Sequence, residues 1–196
     1  MKIGNLGISG VPPMQTRRVS LRALQATDMP TLYSMTIEYD VLWRWRFSGT
    51  IPNYETFVKS VMNGSLANYC IVSTGNEKIM GLLSSYNADL RNGTVFVAVV
   101  MGRKHFFTGS GIEAIALFIN YLFNVWPLRK VYFESVEFDY QTFSSGEGKY
   151  FKKEAHFKEF YYFGGRYWDD VICTISREEW MNNSNVQRFL SKVAVL

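Results

Sequence analysis

The sequence predicts one α/β domain on a mixed, mostly antiparallel sheet flanked by helices, and three observations predict it. The chain has 196 residues, the length of a single domain able to bury a sizeable core. Hydrophobic residues make up 47% and charged residues 19%, in short apolar runs separated by turn signals, with no run of membrane-spanning length. Segments with strand character outnumber the helical segments that could serve as parallel crossovers, so most neighbouring strands must pair antiparallel.

The elements follow in order. Residues 1–16 hold Gly4, Gly7, Gly10, Pro12 and Pro13 and read as an irregular arm. "RRVSLRAL" alternates as a first strand. "QATDMPTLYSMTIEYD" is helical: Thr27 or Asp28 caps it, Pro30 suits its first turn, and Leu32, Met35, Thr36 and Tyr39 share a face. "VLWRWRFSGTIPN" interrupts the pattern. "NYETFVKSVMNG" restores it, with Asn53 as cap, Phe57, Val61 and Met62 at helical spacing, and Gly64 as stop. Residues 68–74 and 78–86 make a hairpin around Gly75 and Asn76. "LRNG" turns the chain into a third antiparallel strand, "TVFVAVVM". A helix from Ile112 to about Val125 precedes another strand in "RKVYFESVEF". "YQTFSSGEGKYFKKEAHF" is mixed, and its spacing allows a helix over residues 150–156 that ends at His156. Two strands meet around Gly164 and Gly165 in "KEFYYFGGRYWDDVICTIS", and "REEWMNNSNVQRFLSKVAVL" closes the chain as a helix. Residues 17–180 then form the domain, with 181–196 a helical extension.

Composition narrows the function. The two cysteines, Cys70 and Cys173, and the two histidines, His105 and His156, show no metal-ligand spacing, so no metal is expected and both thiols should be free. A net charge of +4 and a pI near 9.0 suit an anionic ligand such as a nucleotide. The basic residues are scattered rather than massed, so neither nucleic acid nor a membrane is expected as a partner. No secretion signal is recognisable, which points to the cytoplasm.

The motif that carries chemistry is "GRKHFFTGSGIEAIALF". Glycine at Gly109 and Gly111 permits positive φ and close approach to the backbone. Successive amides in such a turn form an anion nest, and the helix that follows adds its positive end. A plain turn with Ser110 as N-cap explains the same residues. A Walker A loop is disfavoured because no Gly-Lys-Ser/Thr follows. A dinucleotide fold is disfavoured because Ala114 stands where the third glycine belongs.

A three-strand meander, this glycine turn, an apolar helix, a strand and a terminal hairpin together resemble the GCN5-related N-acetyltransferase (GNAT) superfamily. Its pyrophosphate loop reads Arg/Gln-x-x-Gly-x-Gly/Ala, and the matching residues are Phe106, Phe107, Thr108, Gly109, Ser110 and Gly111, with Phe106 in place of the Arg or Gln. Arg103 or Lys104 could supply the missing cation. "FKEFYYFGGRYWDDVICTISREEW" and "VSLRALQATDMPTLYSM" resemble the ribosomal-protein and spermidine N-acetyltransferase branch, with His156 where that branch has glycine. The branch's Asn-x-x-Ser is matched by Asp139, Tyr140, Gln141 and Thr142.

The resemblance implies strands four and five splayed apart, with pantetheine against Val99, Val100 and Met101. It also implies the diphosphate on residues 106–111 and Ile112, and further cofactor contacts from Asp139 and Thr142. Acetyl-CoA is then the co-substrate, and direct attack by a primary amine in a ternary complex is the reaction. A protein N-terminus, a polyamine, a small metabolite or an antibiotic could be the acceptor. Such chemistry needs a proton acceptor for the ammonium and a donor for the thiolate. Glu134, then Glu137, are the candidate bases; in a regular strand they point to opposite faces. Tyr140 and Tyr150 are the candidate acids. Trp43 and Arg44 in "LWRWRF", with Tyr86 and Asn87 at a strand end, are candidates for the acceptor side. Core tryptophans under covering arginines, turn-forming polar residues and solvated carboxylates account for these groups equally well. The alternatives are a non-catalytic acyl-CoA-binding relative and an acyltransferase for a longer chain. A homodimer, with the last helix packed on a partner, is open.

Overall fold

The computed structural model describes residues 12–193, so most of the expected N-terminal arm lies outside the described residues. Seven strands form one sheet in the order β1-β2-β3-β4-β5-β7-β6. β1 (Val19–Ala23), β2 (Ser65–Ser73), β3 (Ile79–Asp89) and β4 (Thr94–Met101) pair antiparallel in succession. β5 (Lys130–Val136) runs parallel to β4 and antiparallel to β7 (Arg166–Ser176), and β6 (Lys152–Phe163) pairs with β7 at the sheet's edge. The mixed, mostly antiparallel sheet expected from the sequence is present.

Helices cover both faces, which is why the central strands read as continuous apolar runs rather than alternating ones. α1 (Met29–Thr36), α2 (Tyr39–Leu42) and α3 (Tyr54–Met62) lie on one face, where Leu32, Val41, Phe57 and Val61 bury against Leu82 and Val100. Asn53 caps α3 by accepting a hydrogen bond from the Thr56 amide at 2.8 Å. On the other face α4 (Ser110–Val125) packs Leu117, Phe118 and Leu122 against Leu21, Ile71, Leu83, Val95 and Val97. α6 (Arg177–Asn182) and α7 (Ser184–Val193) add Trp180, Val186 and Leu190 to that core. Arg177 closes the end of α4, donating to the carbonyls of Leu128 (2.5 Å), Trp126 (2.6 Å) and Phe123.

The sequence reading is corrected in three places. The strand in "RKVYFESVEF" stops at Val136, and α5 (Glu137–Phe143) begins at once. Glu137, Asp139, Tyr140 and Thr142 therefore sit on a helix rather than on a strand or in a loop. Residues 152–156 belong to β6 rather than a helix, so His156 ends no helix and instead meets Asp169 at 2.8 Å. Register shifts between Lys153 and Ala155 and between Phe157 and Tyr161 interrupt the strand's period, which hid it from a period-two search. The closing helix is two helices, broken at Asn183.

Before α1 the buried Asp28 carboxylate accepts from Arg22 Nη2 (2.7 Å) and Nη1 (2.8 Å) and from the Gln25 amide (2.8 Å). The Arg22 guanidinium holds this carboxyl below the usual aspartate range. A lowered acid contributes stability that is complete above its unfolded pKa and disappears as pH falls through its folded value. Asp28→Asn should therefore cost about 3 kcal/mol at pH 7 in urea denaturation, the lower end for a broken buried pair because Arg22 keeps some water. The difference from wild type should shrink below about pH 4, where Asp28 of the unfolded chain begins to protonate before the folded carboxylate does.

Candidate functional site

β4 and β5 stay paired only from Thr94 opposite Lys130 to Phe96 opposite Tyr132. Beyond that point β4 keeps its ladder with β3 as far as Met101, and β5 keeps its ladder with β7 as far as Val136. The facing backbone edges of residues 97–101 and 133–136 are thus without a strand partner and diverge into a wedge. An unpaired strand edge offers donors and acceptors to any extended ligand, whatever the side chains. Val99, Val100 and Met101 line this edge, with Val100 and Met101 buried.

At the open end of the wedge β4 runs into a 3-10 turn over Arg103–His105 and then a left-handed passage, with φ 58° at Phe107 and φ 80° at Gly109. Gly109 is the N-cap of α4 and supplies no side-chain cap. Its carbonyl accepts from the Glu113 amide at 3.1 Å, and the Ser110 amide reaches the Thr108 hydroxyl at 3.3 Å. The amides of Thr108, Gly109, Gly111 and Ile112 donate to no described residue. Free amides that converge at the positive end of a 16-residue helix make an anion cradle. A Cβ at Gly111 would meet Met101 Cγ at 3.4 Å, an ordinary contact, so packing alone does not demand glycine there.

A guanidinium braces the cradle, and it comes from neither Arg103 nor Lys104. Arg103 pairs with Asp40 at 2.8 Å. Arg18, just before β1, donates to the Thr108 carbonyl at 2.8 Å and to Glu113 Oε1 at 3.0 Å, while Thr16 donates to Glu113 Oε2 at 2.7 Å. The acidic residue in the first turn of α4 is thereby neutralised where an anion would sit. Phe106 turns inward, packs against both cores and lies under the Arg44 guanidinium at 5.4 Å. Phe107 stays 86% exposed. Arg18→Ala should loosen the turn and weaken the binding of a diphosphate-bearing ligand about tenfold in titration calorimetry, the worth of one charge-assisted bond to the Thr108 carbonyl.

At the closed end of the wedge the floor is polar. On the face that carries α1, Tyr86 of β3, Phe96 of β4 and Tyr132 and Glu134 of β5 stand side by side. The Tyr86 hydroxyl donates to Glu134 Oε1 at 3.1 Å. Burial, and secondarily the Glu134 charge, raise the Tyr86 pKa, and the same two causes push Tyr161 up to about 12. Asp170 of β7 lies opposite Val136, on this same face and one diagonal step from Glu134. It is 2% exposed, and its Oδ1 accepts no hydrogen bond from any described residue.

Beside this floor opens a cleft of about 310 Å³ walled by aromatic rings. Trp43 stacks on Phe163 at 5.0 Å, Phe163 stacks on Trp168 at 5.3 Å, and Phe138 meets Trp168 edge-on at 5.0 Å. Gly49 makes room for Trp43, because a Cβ there would lie 1.9 Å from the ring. Arg44 spans the cleft, ion-paired with Asp139 of α5 and 5.1 Å from the Phe138 ring. A larger cleft, about 650 Å³, lies between α1 and the start of the glycine turn, beside Met35, Glu38, Gly102 and Lys104. It includes none of the floor's polar groups.

The residues singled out in the sequence fall into separate groups. Residues 106–112 form the turn and the first residues of α4, and Glu134 and Tyr86 meet on one floor. Trp43 and Arg44 line the cleft, and Asp139 is ion-paired to Arg44. Glu137 pairs with Arg166 at 3.7 Å, and the Thr142 hydroxyl is bonded to the Asp139 carbonyl at 2.7 Å. Tyr140 packs on Val171 and Cys173, and its hydroxyl is bonded to Glu147. Burial and that carboxylate push its pKa up to about 12. Tyr150 stands exposed before β6, and no hydrogen bond joins either tyrosine to Glu134. Asn87 sits at φ 49° in a break of the β3–β4 register, so its turn chemistry places it. Arg18, Asp170, Phe138, Phe163 and Trp168 were not found from sequence. Arg18 and Thr108 are 90 positions apart, and no local pattern links them.

No family model and no curated protein matches the sequence. Among solved structures the chain is similar to the spermidine N-acetyltransferase of Vibrio cholerae in complex with CoA and spermine. The TM-score is 0.75 at 17% identity, over 85% of this chain and 100% of that one. It is also similar to a GCN5-related N-acetyltransferase from Brucella melitensis, with TM-score 0.73 and 20% identity over 93% of this chain and 87% of that one. A GNAT-family acetyltransferase from Bacillus anthracis gives TM-score 0.68 and 19% identity over 85% and 99%. The fold of this chain is therefore the GNAT fold.

Proposed function

We propose that this protein is an N-acetyltransferase that takes its acetyl group from acetyl-CoA and passes it to a small primary amine. One observation carries this: the wedge between β4 and β5 leads at its open end to free amides around Gly109 and at its closed end to the Glu134 carboxylate. A phosphorylated, extended thioester suits the first two features, and a protonated amine suits the third. The CoA bound by the Vibrio cholerae structure, and its spermine, support the same pair of substrates.

In this scheme the residues 97–101 edge holds the pantetheine arm, and the amides of Thr108, Gly109, Gly111 and Ile112 take the diphosphate. The Trp43, Phe163 and Trp168 wall takes the acceptor's body, with ring faces turned toward a cation. Glu134 receives one proton from the ammonium as its N–H bond breaks. The freed nitrogen lone pair forms the C–N bond as the C–S bond breaks, and sulfur leaves with the nitrogen's second departing proton. Asp139 acts on the site through Arg44, which its ion pair fixes beside the Phe106 and Phe138 rings.

Thiol release from acetyl-CoA with spermidine, spermine, short peptides and amino sugars as acceptors tests the proposal. Release with at least one amine is expected, together with a rise in thermal midpoint with CoA. A thermal rise without release from any amine would favour a non-catalytic acyl-CoA binder, and release only from longer acyl-CoAs would favour a different donor. No thermal rise at all would remove CoA from the site.

A further inference from the structure

Asp170 is a buried carboxyl that the scheme above leaves without a task. Its Oδ1 is shut off from water and accepts no hydrogen bond from a described residue. A carboxylate in that state opposes folding unless it is neutralised. The groups that act on it are Glu134 from β5, Tyr161 and His156 from β6, Cys173 farther along β7, and the Val171 backbone amide, which favours its charged form but does not outweigh burial. His156 is the one of these that can carry a cation, and its Nε2 is already bonded to Asp169 at 2.8 Å. From the far side of the floor Tyr86 bonds Glu134, and Arg46 lies over the Tyr86 ring at 6.0 Å. A proton is what would neutralise Asp170.

We infer that Asp170 is the terminal proton acceptor of the acyl-transfer site and takes the acceptor's proton through Glu134. The inference rests on acyl transfer at the wedge. Its geometry is the register: Val136 opposes Asp170 and Glu134 opposes Ile172, which places the two carboxyls as diagonal neighbours on one face. Glu134 is exposed toward the wedge and Asp170 lies beneath. With Glu134 Oε1 holding the Tyr86 hydroxyl, Oε2 is left for exchange. The ammonium N–H bond breaks and an O–H bond forms on Glu134. Glu134 then gives that proton to Asp170 Oδ1 through a water that joins the two carboxyls, which no hydrogen bond links at rest, and returns to the anion. Asp170 ends as a neutral carboxylic acid, the form its surroundings favour. Burial, and after it the Glu134 charge, push Asp170 up to about 6, closer to working pH than an ordinary aspartate. Asp170 thus acts as a relay residue behind Glu134 and does not itself touch the acceptor.

Asp170→Asn keeps the shape and cannot take the proton. Its kcat should fall about tenfold or more with the KM for amine and acetyl-CoA little changed. The acid limb of the kcat profile, expected in wild type near pH 6, should move. The thermal midpoint at pH 8 should rise, because an acid with a raised pKa withdraws stability as pH climbs from its unfolded to its folded value. Asp170→Glu should restore part of kcat, and Asp170→Ser serves as a second neutral variant should the amide disturb packing. Carbon-13 carboxyl NMR should show an aspartate titrating near pH 6 that is absent in Asp170→Asn, a readout independent of turnover. Wild-type kcat and an unmoved acid limb in Asp170→Asn, or no such resonance, would overturn the relay alone. A wild-type enzyme that acetylates no amine would overturn acyl transfer and the relay together.

Discussion

Glu134→Gln is expected to lower kcat about 10²- to 10³-fold while CoA binding stays unchanged. Glutamine has the same volume and still offers a carbonyl oxygen to the Tyr86 hydroxyl, which donates to Glu134 at 3.1 Å. The floor's hydrogen bond therefore survives, and only the ability to accept a proton is lost. In the proposed binding mode the cofactor's contacts are with backbone at residues 97–101 and around Gly109, away from the altered atom. Steady-state kinetics with a saturating amine, beside calorimetric titration of CoA, separate the two quantities. The loss should lessen at high pH, where more of the amine arrives unprotonated and needs no acceptor. The double variant with Asp170→Asn should be little worse than Glu134→Gln alone, because two steps of one relay are not additive. An unchanged kcat would move the base elsewhere, with Glu137 the remaining acidic candidate.

Gly109→Val should abolish measurable CoA binding, a loss of about 10²-fold or more. The residue sits at φ 80°, where a β-branched side chain is strained by roughly 1–2 kcal/mol. Its Cβ would also come 3.2 Å from Arg18 Nη2, pressing on the guanidinium that ties the turn to Thr108 and Glu113. If the turn relaxes, the amides no longer converge, and each charge-assisted bond lost to a phosphate weakens binding by about 1.5–3 kcal/mol. Gly109 lies at the surface end of α4, so the fold should survive, and circular dichroism and the thermal midpoint verify this. Calorimetry with CoA reads the loss. Tight binding by a well-folded Gly109→Val would show that the amides of this turn do not hold the diphosphate.

Different parts of this chain were legible to different degrees. β4 was found to the residue because "TVFVAVVM" is bounded by Gly93 and Gly102, and glycines punctuate a chain whatever surrounds it. α4 was found to within two residues for the same reason. β6 was missed at its start because a register shift between Lys153 and Ala155 spoils its alternation, while its edge position leaves most side chains in water. α5 was missed because seven residues, Glu137 to Phe143, are too few to show a helical period. Its buried Tyr140 is held by β7 rather than by anything local.

By itself the sequence determined the strand-rich core, the meander and the glycine turn that opens α4. Each of these depends on interactions between residues close in the chain: alternation, propensity and backbone freedom. Only the tertiary structure decided that β4 and β5 part after Phe96, each keeping its ladder with its outer neighbour, β3 on one side and β7 on the other. It alone brought Arg18 to the turn, Tyr86 to Glu134, and Asp170 beside them with an Oδ1 that no described residue bonds. Such groupings depend on register and burial across strands far apart in sequence. Burial is a property of the packed whole, so no window of residues could have revealed that Asp170 is kept from water.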